Sequence, residues 1–124
     1  MGDLSKNFNR QEFACQGKNC CGGAAPVHPD LAAGLQELRD KAGAPLGISS
    51  GFRCRSHNKK IGGAENSLHT LGMAVDITCP DNLTALQMAE IAESIEVFRE
   101  GGIGIYKSWL HVDVRKTSKA RWQK

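Results

Sequence analysis

Apolar residues recur at two different periods along this chain, and the change of period marks out its elements. Leu31, Leu35 and Leu38 share one face at helical spacing, so a helix is expected over residues 29–41. Gly43 ends it and Pro45 prevents its resumption. Further upstream, Asn9 followed by Glu12 has the form of a short helix start, an N-cap with an acidic third residue. Residues 16–29, rich in Gly and Pro, read as a loop. Residues 46–50 read as a short strand, and residues 54–60 as one or two helical turns broken by Gly62 and Gly63. A second strand is expected over 73–78, with Val75 and Ile77 pointing opposite to Ala74 and Asp76. Thr84 and Gln87 fit a capping box for a helix reaching Phe98, with Leu86, Ala89, Ile91 and Ile95 as its buried side. Gly101 and Gly102 then turn the chain into strands over 103–106 and 110–115.

The last of these strands carries more than a solubility pattern. Leu110, Val112 and Val114 fall on one face, and His111, Asp113 and Arg115 on the other. The polar face offers an imidazole, an acid and a guanidinium, which reads as the floor of a cleft. Two helices and about four strands, without repeated βαβ units, predict an α+β fold: a small antiparallel sheet flanked by helices.

A length of 124 residues fits one domain with one core, and 40% hydrophobic with 23% charged residues is ordinary for a globular chain. The net charge of +3 draws on basic residues gathered at the C-terminus, and residues 116–124 are expected as a solvated basic tail. Such a tail would favour an anionic surface, but a few exposed charges need no partner, and no nucleic-acid partner is expected. No apolar run approaches the roughly 18–20 residues of a membrane span. The N-terminus lacks the layout of a secretory signal, so synthesis in the cytoplasm without an export signal is expected. Five cysteines leave at least one unpaired if the others form bridges, and three of them crowd into the loop-rich region 1–28. Reduced, half-buried thiols are expected without an export signal. A disulfide tying the Cys15 to Cys21 loop to Cys54 is the stronger special role, since a second, structural zinc site would lack a C-x-x-C pair.

His69, Asp76 and His111 are the candidate chemistry. Two imidazoles and a carboxylate suit zinc with one position left open for water. Asp76 lies within AVDIT, where an acid is costly to bury unless paired or bound to a cation. A loop that returns a ligand seven positions later on a strand brings both groups to one point, and the strand bearing His111 supplies the third. His28 and His57 stand alone and are left unassigned.

The string Ser67-x-His69-x-x-Gly72-x-Ala74-x-Asp76 is preceded by Ser50-Gly51-Phe52-Arg53 and followed by Trp109-Leu110-His111-Val112-Asp113. Together these resemble the zinc D-alanyl-D-alanine carboxypeptidases and L-alanyl-D-glutamate endopeptidases, which share a fold with the Hedgehog signalling domain and cut the peptide part of bacterial peptidoglycan. The resemblance runs over residues 4–122, and the compact form looks most like small peptidases of phages and prophages. It implies one zinc ion held by His69, Asp76 and His111, and a monomer acting on a peptidoglycan stem peptide in the cell wall. Arg53 matches the arginine that contacts substrate and steadies the oxyanion, and Ser67 the small polar residue beside the first ligand. Many relatives place an acid three residues before the last histidine, where this chain has Ser108. Asp113 is the candidate for base or acid, its alternative role being an acceptor that orients an imidazole. Tyr106 and Glu65 are further candidates, and Trp109 and Tyr106 are expected to wall the cleft. A zinc-bearing binding module without catalysis is the alternative function.

Overall fold

The computed structural model describes residues 2–124; Met1, counted in the expected 1–124 domain, lies outside them. A five-stranded sheet runs in the order β1-β2-β4-β3-β5. Its strands are β1 (Gly47–Ser50), β2 (Ala74–Thr78), β3 (Gly102–Ile105), β4 (Trp109–Asp113) and β5 (Ala120–Gln123). Neighbours from β1 to β3 pair antiparallel, and β5 joins β3 in parallel. With helices against the sheet, the fold is α+β, as the pattern predicts.

Local chemistry accounts for the helix ends. α1 (Pro29–Ala42) has Pro at its start and His28 as N-cap, whose side chain accepts from the Asp30 N–H, and it ends on Gly43 in the left-handed region. α2 (Arg55–Lys60) is capped by Cys54. α3 (Ala85–Glu93) begins on the Thr84 and Gln87 capping box, and a 3-10 helix (Arg10–Phe13) begins on that of Asn9 and Glu12. Leu31, Leu35 and Leu38 of α1 and Met88 and Ala92 of α3 join Val75, Ile77, Ile103, Leu110 and Val112 of the sheet in one buried core. Each such side chain contributes about 1.5–3 kcal/mol by leaving water.

Three expectations change here. The helix expected to reach Phe98 breaks after Glu93: Ser94 Oγ donates to the Ile91 carbonyl at 2.6 Å, Ile95 is extended, and α4 (Glu96–Arg99) follows. The break turns Ile95 and Phe98 together into the core, at 1% and 0% exposure. Leu86, expected on the buried side, is 56% exposed, because the small side chains of Ala85, Ala89 and Ala92 face inward instead. The residues expected as a loose basic tail include β5, and Arg121 there is paired with Glu93 of α3 at 2.7 Å.

The sheet register prepares a second, polar face. Asp76 stands directly opposite His111, and Ala74 opposite Asp113. Directly opposed residues project to the same face, so the two strands deliver an acid and an imidazole side by side.

Candidate metal centre

His69 sits on a 3-10 helix (Leu68–Leu71) that the apolar pattern did not announce, between its N-cap Ser67 and Gly72. The Ser67 hydroxyl accepts from the His69 N–H at 3.2 Å, and Gly72 in the left-handed region (φ 68°) reverses the chain into β2. This short turn carries His69 over the sheet to Asp76. One ligand atom from each of His69, Asp76 and His111 lies within 4.8 Å of the other two. His69 is 3% exposed and His111 9%, and their rings meet edge-on at 5.4 Å.

Each imidazole is held by its outer nitrogen. His69 Nδ1 lies 2.7 Å from the Gly51 carbonyl, which can only accept, so Nδ1 carries the proton and Nε2 is a free lone pair. That Nε2 faces Asp76 Oδ1 at 3.5 Å. His111 Nε2 lies 2.8 Å from Asp113 Oδ2, which leaves Nδ1 facing the same Asp76 oxygen at 3.0 Å. Two nitrogens and one oxygen therefore point at a common place.

The two acids and His111 hold one another in their charged forms. Burial opposes ionisation of Asp76, but the adjoining His111 and His69 imidazoles outweigh it and hold its pKa at about 2. Burial would neutralise His111 as well, yet Asp113 and Asp76 hold its pKa above the ordinary value. Asp113 is fully buried, and its carboxyl stays well below the usual range because Arg115 and His111 more than offset desolvation. It accepts from the N–H groups of Gly102 (2.9 Å) and Arg115 (3.2 Å) and from Arg115 Nε (2.9 Å) and Nη2 (2.8 Å), besides His111. Gly102 is required for this: a Cβ there would lie 2.3 Å from Asp113 Oδ2.

The model of the family described as Peptidase M15 matches residues 6–113, a span that takes in β1 to β4 and all three converging residues. The chain belongs to the M15 peptidase family. Membership makes it a zinc metallopeptidase, in agreement with the resemblance of its motif string. A search of curated proteins gave no match.

In this M15 peptidase two depressions reach the converging residues. One, of about 580 Å3, is lined by Ser67, Leu71, Met73, His111, Arg115 and Trp122 among others. The other, of about 240 Å3, is lined by Ser49, Asp76, Thr78, Ser108 and Trp109. Arg53 is tied into the site from the side: its N–H donates to the His69 carbonyl at 3.1 Å, and its Nη2 donates to Ser67 Oγ at 3.3 Å. Burial lowers its pKa while Asp76 opposes that, and its Nε is buried without a partner among the described residues. Tyr106 and Trp109 stack at 3.6 Å, with Trp109 at the smaller depression. Glu65 lies elsewhere, at a depression it shares with Arg55 and Lys59.

Trp122 went unrecognised in the sequence. Its ring lies 4.9 Å from His111 and 5.7 Å from the Arg115 guanidinium, and its Nε1 donates to the Tyr106 hydroxyl at 2.9 Å. The alternation in A-R-W-Q, half-buried at Ala120 and Trp122, was the available signal, hidden by the surrounding basic residues.

Proposed function

We propose that this M15 peptidase hydrolyses peptide bonds involving D-amino acids in the stem peptides of bacterial peptidoglycan. The reading rests on one observation above all: three ligand atoms converge while the outer nitrogen of each imidazole is already held. His69 through Nε2, Asp76 through its carboxylate and His111 through Nδ1 would hold one zinc ion, a donor set that suits zinc with a position left for water. Bound there, zinc lowers the pKa of water and polarises a substrate carbonyl.

The chain's own residues supply positioning and charge. Arg53, desolvated and anchored on Ser67, presents guanidinium donors to the substrate carbonyl and to the negative charge that develops on it. Asp113, with both oxygens engaged by Arg115, His111 and Gly102, keeps the proton on His111 Nε2 and so keeps Nδ1 available as a ligand. It acts as a positioning residue and not as the acceptor of the water proton. Tyr106, Trp109 and Trp122 wall the cleft, and Ser67 fixes both Arg53 and the turn that bears His69.

One depression reaches His111 and a second reaches Asp76, which offers a bound chain room to extend past the ligand set. This favours the endopeptidase type, between L-Ala and D-Glu, over removal of a terminal D-Ala. The setting is the cell wall, reached by phage or prophage delivery, with the protein acting as a monomer. No helix among the described residues is long and apolar enough to cross a membrane. Mass spectrometry of defined muropeptides after incubation tests the reading. Fragments split between L-Ala and D-Glu are expected, abolished by a chelator and by His111→Ala. Loss of terminal D-Ala alone would make it a carboxypeptidase, and no new amine from zinc-loaded protein would leave a non-catalytic binding module.

A further inference from the structure

Away from the cleft, four of the five cysteines meet at one point. Cys15 follows the first 3-10 helix, Cys20 and Cys21 lie in the loop leading to α1, and Cys54 caps α2. The Cys15 sulfur lies 3.9 Å from that of Cys20 and 3.8 Å from that of Cys54, and Cys20 lies 3.9 Å from Cys21. All four sulfurs fall within 4.8 Å of one another, and all four are free thiols. A disulfide needs about 2.05 Å and joins two sulfurs, not four. Four thiolates around zinc at about 2.3 Å stand about 3.8 Å apart along each edge of the tetrahedron. We propose that Cys15, Cys20, Cys21 and Cys54 bind a second zinc ion, one that serves structure and not catalysis.

The surroundings fit that role. Four protein sulfurs close the tetrahedron and leave no position for water or substrate, which separates this site from the open one in the cleft. Binding converts four thiols to thiolates and releases four protons, with no change of oxidation state. The resulting centre carries two negative charges, and Lys18 and Lys60 line the surface depression that Cys20 also lines. The His57 N–H donates to Cys54 Sγ at 3.4 Å, as an amide does toward a thiolate. Gly17 permits the close approach: a Cβ there would lie 2.7 Å from Cys20 Sγ and 2.8 Å from His57 Nδ1.

The loop itself shows why a metal is useful. Residues 16–28 form no helix or strand, and Asn19, Gly22 and Gly23 all take positive φ, so little but the sulfurs ties the loop to α2. Cys54 directly follows Arg53, and Phe52 before it donates to the Phe13 carbonyl at 2.8 Å. A metal joining Cys54 to Cys15 thus clamps the segment that presents Arg53 to the cleft. The separated spacing C-x4-C-C followed by a distant Cys54 hid the site, because no C-x-x-C pair is present.

The test is metal stoichiometry and cobalt(II) spectroscopy on the full chain purified without chelator. Wild type is expected to hold two zinc ions per chain. The double variant His69→Ala, His111→Ala is expected to keep one, and its cobalt(II) form to show the intense near-ultraviolet thiolate-to-cobalt charge-transfer band. Cys20→Ser is expected to lose one ion, and Cys79→Ser none. Should Cys20→Ser fail to fold, the zinc content and the cobalt spectrum of the histidine variant still decide. No zinc in the histidine double variant, a cobalt form without the thiolate band, or a non-reduced mass lower by two or four hydrogens would overturn the proposal. Since imidazole and carboxylate give no such band, these outcomes are independent of whether the cleft hydrolyses peptidoglycan.

Discussion

Two imidazoles that each offer one nitrogen to the same point need something to hold the other nitrogen. A backbone carbonyl does this for His69 and a buried carboxylate for His111. If Asp113 acts through His111, Asp113→Asn should weaken zinc binding about 10–100-fold, the range seen when such partners of ligands are altered. Chelator competition monitors this directly. Unchanged zinc affinity with lost turnover would instead mark Asp113 as the proton acceptor. Arg53→Ala should leave zinc content intact and lower kcat by about 10²–10³-fold, as removal of an oxyanion donor does. The three residues that converge were legible as candidates because each residue's chemistry is local. The engagement of Asp113 was not, since its partners Gly102 and Arg115 depend on strand register.

Elements place these residues through alternation and close approach. β2 and β4 were readable from their period of two, and their register then opposes Asp76 to His111. α3 was readable as a helix, and Ala89, Ile91 and Ile95 face the core as expected, but Leu86 turns out to solvent while Ala85 and Met88 take the inward places. β5 escaped notice because it is short, its outward positions are the polar Arg121 and Gln123, and basic residues flank it. Arg121 fastens this strand, donating to both Glu93 oxygens at 2.7 and 2.8 Å and to the carbonyls of Arg99 and Gly101. Hydrogen bonding to Arg121 lowers the Glu93 pKa against the opposing effect of burial. A carboxylate whose folded pKa is depressed stabilises the fold above its unfolded pKa and loses that contribution as pH falls through the folded value. Glu93→Gln should therefore cost about 0.5–1 kcal/mol at neutral pH, and the gap to wild type should close in acid. Thermal unfolding at several pH values measures it; a gap that persists at low pH would contradict the ion pair's role.

Across the whole molecule, helices cover one face of the sheet and leave the other for chemistry, and four cysteines gather between the N-terminal loop and the start of α2. The C-terminal strand links these parts, since Trp122 touches His111, Arg115 and Tyr106 at once. Trp122→Ala should raise KM by removing a cleft wall and should destabilise the fold by about 1–3 kcal/mol, below the cost of a fully buried aromatic. Substrate titration and denaturant unfolding check the two parts. The fold class was legible because periodicity reports burial, whereas the meeting of four distant cysteines depends on tertiary closure that no spacing encodes. The most direct test of the account is zinc-dependent turnover. Metal-stripped protein is reconstituted with two zinc equivalents per chain and given a defined muropeptide, alongside His111→Ala, with new amine quantified. Amine release that returns with zinc in wild type and stays absent in His111→Ala is the predicted result. Zinc-loaded wild type that releases none, or His111→Ala that retains turnover, would contradict it.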